Sequence, residues 1–137
     1  MPRRFAPANL ALVFMVGCSG NGMPPLAAVR GTVKLPDGRP VNYATVVFTP
    51  DSASGTQGPV ASASLDASGR YTLRTASQYS GATVGRHVVT VEAEYQPDVP
   101  ASQRAPIPGR YGARKTSPLT AEVVAGTDNV IDFVLAP

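Results

Sequence analysis

Glycine and proline break this chain about every ten positions, and between the breaks apolar and polar side chains alternate. Such punctuation leaves no window for a long amphipathic helix, so the chain is confined to short strands joined by turns. The 13 Gly and 14 Pro carry that pattern. The remaining composition, 43% hydrophobic and 15% charged, is that of a globular chain rather than a disordered one. At 137 residues there is material for one domain with one modest core.

The alternation assigns faces. In "VRGTVKL", Val29, Gly31, Val33 and Leu35 share one side, while Arg30, Thr32 and Lys34 share the other. "PDGRP" (36–40) reads as a turn, with Asp-Gly supplying the positive-φ step. "ATVVFTP" follows as a strand with Ala44, Val46 and Phe48 inward, and then a polar loop over 51–59. "VASASLDASGRYTLRT" (60–75) reads as a hairpin about Asp66-Ala67-Ser68-Gly69, with Ala61, Ala63, Leu65, Tyr71 and Leu73 inward. In "GRHVVTVEAEY", His87, Val89, Val91 and Ala93 share one face, and Val88, Thr90, Glu92 and Glu94 the other. "LTAEVV" and "NVIDFVL" read as a closing pair around 125–128. Seven short strands at this spacing predict an all-β fold, a seven-stranded antiparallel β-sandwich. Its predicted core is Val33, Val46, Phe48, Leu65, Tyr71, Leu73, Val89, Val91, Val123, Ile131 and Phe133.

The first residues have a different character. Met1 to Arg4 form a cationic head, and Phe5 to Val16 a mostly apolar run too short to span a bilayer as a helix. That pattern fits a secretory signal peptide. It ends in Met15-Val16-Gly17-Cys18, which resembles the bacterial lipobox, with Met15 standing where Leu is usual. The resemblance implies cleavage between Gly17 and Cys18 and a diacylglycerol thioether on the Cys18 sulfur, chemistry that needs a thiolate. Residues 1–17 are then a signal peptide, 18–26 a lipid-bearing cysteine and flexible tether, and 27–137 the domain. The expected location is a bacterial cell membrane, with the domain facing the periplasm or the exterior.

Four motifs in order carry a second resemblance. "VRGTVKLPDGRPVNYATVVFTP", "LDASGRYTL" and "VGRHVVTVEA" resemble the opening, hairpin and long strand of carboxypeptidase regulatory-like domains. "IPGRY" with "TSPLTAEVVAGTDNVIDFVL" is similar to the ending of small bacterial lipoproteins that carry such a domain. The resemblance spans about Val29 to Leu135 and implies a transthyretin-like β-sandwich. It brings no catalytic residues, because the family is named for an accessory module beside a peptidase.

Charge and residue inventory narrow the function. Arg3 and Arg4 are two of twelve basic residues; without them ten face nine acidic ones, scattered rather than striped. No nucleic-acid partner is expected from that pattern. His87 is the single histidine and Cys18 the single cysteine, so neither a metal site nor a cofactor is expected. No Ser lies in a G-x-S-x-G elbow, and Glu92 and Glu94 alternate on one strand face as solvated groups.

The long segment from Gln96 to Pro118 has five prolines and no periodicity, which makes it the natural seat of specificity. Its Arg104, Arg110, Tyr111, Arg114 and Lys115, with Tyr95 at its start, form a basic and aromatic cluster suited to an anionic glycan, a phosphate-rich surface or a protein partner. The expectation is therefore a non-enzymatic, lipid-anchored module of the cell envelope for protein interaction, adhesion or scaffolding. A carbohydrate-binding module is the alternative, with Tyr43, Tyr79, Tyr95 and Tyr111 available for stacking, and a hydrolase the minor one.

Overall fold

A computed structural model describes residues 23–137. Cys18, Gly17 and the leader lie outside the described residues. The described chain is all-β. Its strands are β1 (Leu26–Ala27), β2 (Val29–Lys34), β3 (Ala44–Pro50), β4 (Ala61–Ser64), β5 (Arg70–Thr72) and β6 (Arg74–Thr75). They continue as β7 (Tyr79–Ser80), β8 (Ala82–Thr83), β9 (Gly85–Ala93), β10 (Leu119–Val123), β11 (Asn129–Val130) and β12 (Phe133–Val134). Three single 3-10 turns are the only helical segments among the described residues.

The larger sheet is antiparallel throughout, in the order β10-β9-β3-β4-β6-β7. In the four-stranded one, β2 has β5 on one side and β11 and β12 on the other, while β1 and β8 pair as a separate two-stranded sheet. Phe48 of β3 joins the two sheets, its ring 6.1 Å from those of Tyr71 and Phe133 and 5.6 Å from His87. Ten of the eleven predicted core residues are buried; Ile131 is only partly so. The period-two faces of β2 and β3 hold as read, since β-strand side chains alternate by geometry.

Three pairings correct the sequence reading. The segments 119–124 and 129–135 do not pair. Instead β10 joins β9, while β11 and β12 run parallel to β2, so the sheets are not wholly antiparallel. Asn129 explains the departure. Its buried side chain accepts from Val124 N (2.9 Å) and donates to Val124 O and Ala28 O (both 3.1 Å). It thereby supplies Val124 with the partners that a hairpin strand would have offered, and ties the turn to the start of β2. The chain then has to run along β2 rather than back along β10.

The 60–75 hairpin is also divided. Its turn forms as read, with Gly69 at φ 76° and its N–H donating to Asp66 O (2.9 Å). Beyond it, β5 pairs with β2 in the opposite sheet, and only β6 returns to β4. The predicted seven strands thus become twelve segments, several of them halves of a strand that changes sheet. Thr90 is buried, against the alternation, where the 109–112 turn packs on β9, and Ala93 is exposed at the strand's last residue. Among the described residues, Pro25 O accepts from Val84 N (2.9 Å) and β1 pairs with β8.

His87 is wholly buried on the inner face of β9. Its Nδ1 reaches Gly85 O (3.2 Å), so the proton belongs on Nδ1; Nε2 has no partner. Burial holds its imidazole below the ordinary 6.5, although the Gly85 carbonyl and Glu122 oppose the shift. Above pH 6.5 the group is neutral in both states and costs nothing. As pH falls below that, the unfolded chain takes up the proton first, and stability drops until the lowered native value is passed. The expected slope between pH 6.5 and about 5 is at most about 1.4 kcal/mol per pH unit. Carboxylates held low by hydrogen bonds, such as Glu94, lose their contribution only at more acid pH. Urea unfolding of His87→Leu against the parent at both pH values checks this: the parent weakens in that window and the variant stays level.

Candidate functional site

The segment from Gln96 to Pro118 is built into the domain from both sides. Arg104 turns inward, its guanidinium donating to Gln96 O (2.5 Å) and Val99 O (2.6 Å), which closes the first half into a compact loop. Ala105 N donates to Asn42 Oδ1 (3.3 Å). In the second half, Ser117 Oγ donates to Val89 O (2.5 Å) and Thr116 Oγ1 to Arg110 O (2.7 Å). Tyr111 is almost fully buried and donates to Ala136 O (3.1 Å). Arg110 stacks over its ring at 4.7 Å and donates to Ala136 O (2.8 Å) and Pro137 O (3.0 Å). Two prolines, Pro106 and Pro108, hold Ile107 between these anchors.

That segment forms one wall of a groove of about 400 Å³. Leu35 and Leu135, both buried, meet Ile107 there, flanked by Pro36, Pro106 and Pro108. The size suits a side chain or small ligand, and the wall is apolar. At the rim Arg39 Nε and Asp37 Oδ2 pair at 2.8 Å. The backbone N–H of Arg39, and then its guanidinium, hold the Asp37 carboxyl below the usual carboxylate range. Asp37 is therefore ionised and paired near neutral pH, suited to orienting a ligand rather than exchanging protons with it.

The predicted cluster does not converge on one surface. Arg104, Arg110 and Tyr111 hold the loop to the domain, Tyr95 is 86% exposed, and Arg114 and Lys115 are exposed at the loop's far side. The segment itself does line the groove, but through Pro106, Ile107 and Pro108. Leu35 and Leu135 were legible only as core residues, because their meeting depends on the parallel pairing of β12 with β2. Compared with models of protein families, with curated protein sequences and with solved structures, the chain matches none.

Proposed function

We propose that this chain is a lipid-anchored, non-enzymatic module of the bacterial cell envelope that takes an apolar side chain of a partner protein into the proline-lined groove. The single observation that carries the anchoring is Met15-Val16-Gly17-Cys18 at the end of a short apolar run, a few residues before Pro25, whose carbonyl accepts from Val84 N. The fold we assign is the transthyretin-like sandwich of carboxypeptidase regulatory-like domains, supported by the four motifs and by two sheets sharing one core.

A protein partner is favoured over a glycan by the groove's composition. Sugars stack on aromatic faces, and no aromatic ring is among the residues that line it. The exposed tyrosines, Tyr79 on the edge strand β7 and Tyr95 after β9, are not among those lining residues, and Tyr111 is buried.

Two measurements test the reading. Mass spectrometry of the mature protein is expected to find Cys18 as its first residue with a diacylglycerol adduct. Another N-terminus, or an unmodified thiol, overturns the anchor. A photo-crosslinking residue at Pro106, in the groove wall, is expected to capture a discrete partner in native cells, while one at the exposed Thr120 of β10 does not. Capture from Thr120 alone overturns the groove.

A further inference from the structure

We infer that the groove takes a partner segment in extended conformation, which pairs its backbone with Ile107, seats one apolar side chain against Leu35 and Leu135, and brings a carboxylate to Arg39. The inference rests on the groove reading above and deepens it by naming the shape and charge of what enters.

The wall from Arg104 to Pro108 is itself an extended strand without a neighbour. Arg104 stands at φ −108°, ψ 143° and Pro108 at φ −59°, ψ 138°. Between them, Ala105 and Ile107 each precede a proline, which steers both away from the helical region. The stretch belongs to none of the three sheets. Its Ala105 N–H is spent on Asn42 Oδ1 (3.3 Å), and Pro106 and Pro108 have none to give. That leaves Ile107, whose N–H and carbonyl both lack a partner among the described residues. A facing strand exchanges both bonds with such a residue. Directly opposed residues share a face, so the residue that meets Ile107 sends its side chain toward Leu35 and Leu135. With a donor at Ile107 only, no ladder grows along this wall, and it accepts a short segment without templating a sheet.

The opposite wall is closed on itself. Leu35 N donates to Arg39 O (2.8 Å), and Gly38 N to Leu35 O (2.9 Å). It therefore offers side chains, not backbone. Both oxygens of Asp37 are taken by Arg39, Oδ1 by its N–H (3.0 Å) and Oδ2 by Nε (2.8 Å). The two terminal nitrogens of Arg39 have no acceptor among the described residues, and its side chain is 62% exposed at the rim. A planar cation with free donors complements a carboxylate. Arg39 also borders the polar cleft at Asn42 and Ser102, so it stands where the apolar part of the groove ends.

In an extended segment, residues two apart lie on one side, about 7 Å from each other. An apolar residue and an acidic one at that spacing fill both features together. A helix spends its backbone groups internally, and a glycan has no apolar side chain, so neither completes the site.

The probe is the capped hexapeptide Thr-Thr-Leu-Thr-Glu-Thr, titrated to about 5 mM into the full, processed, isotope-labelled protein and followed by NMR. The Ile107 amide is expected to move saturably downfield as it gains an acceptor. Replacing the probe's Leu by Ser is expected to weaken binding about tenfold or more. N-methylation of that Leu removes the donor to the Ile107 carbonyl; it and a Gln in place of Glu each weaken binding about threefold or more. The Glu effect vanishes in the Arg39→Gln protein. An unmoved Ile107 amide, or equal binding of the N-methylated and parent probes, overturns the extended pairing. A Glu effect that survives Arg39→Gln overturns the carboxylate assignment. Whether the groove meets a protein at all is read separately by the Pro106 crosslink: capture there with Ile107 unmoved by the probe sinks this inference and leaves the groove reading standing.

Discussion

Gly31→Ala is expected to cost about 4 kcal/mol of stability and to lower the melting temperature by about 15 °C or more. A Cβ at Gly31 would fall inside the contact shell of the Ile131 carbonyl, with the Asp132 carboxylate beside it at 3.1 Å. Both obstacles belong to the parallel crossing between β11 and β12. Ile131 N donates to Arg30 O (2.8 Å), and Ile131 O accepts from the Tyr71 hydroxyl (2.5 Å). Asp132 Oδ1 accepts from Thr32 N (2.9 Å), standing in for a strand carbonyl. Pushing the last strand outward therefore breaks its ladder and strands a buried phenol. That phenol is already pushed well above its ordinary value by burial, and next by the Asp132 charge, so it stays a donor throughout the accessible pH range. Denaturant unfolding measures the loss. Gly109→Ala, where a Cβ meets nothing within 4 Å, is the control, expected within about 0.5 kcal/mol of the parent. A Gly31→Ala loss below about 1 kcal/mol contradicts the close approach.

Tyr111→Ala is expected to cost a similar amount, about 3 to 5 kcal/mol, by a different route. It leaves a ring-sized void and unseats Arg110, which holds the residues after β12 against the same loop. Tyr111→Phe keeps the packing and loses the donation to Ala136 O and the bond the hydroxyl accepts from the Arg110 guanidinium (3.1 Å), a cost of about 1 to 2 kcal/mol. The two variants also separate in limited trypsin digestion. Cleavage after Arg104 and Arg110 is expected to accelerate about tenfold or more in Tyr111→Ala, as the 96–118 loop opens, and to change little in Tyr111→Phe. Equal rates in the two would mean that the ring does not seat the loop.

The sequence carried the core well, because one buried face per strand imposes a period that any reader can follow: Val46 and Phe48, or Val89 and Val91, declare themselves. It concealed which strand pairs with which. "LTAEVV…NVIDFVL" has the look of a hairpin, and only a single buried amide, that of Asn129, redirects it. An Asn at the first residue of an apolar run was the available clue, since a polar side chain there has to be satisfied by nearby backbone. The candidate site was half legible for a related reason. A long proline-bearing segment announced a specificity element, yet its cations and tyrosine were natural choices for a ligand. In the fold, Arg104 and Arg110 spend their donors on the loop's own and neighbouring carbonyls, and the uncharged residues between them form the wall. Local composition marks a loop as special without saying which of its side chains turn outward.

The pairing of β2 with the chain's last strand has a consequence for how this molecule comes into being. Contacts such as Thr32 with Asp132, and Ala28 with Asn129, join residues 100 and 101 positions apart. Each must wait for residues 129–134, so β2 has one open side until that segment has been made. The seam between β2 and residues 129–134 is therefore the last part of the domain that can close, and the two sheets lock around Phe48 only when it does.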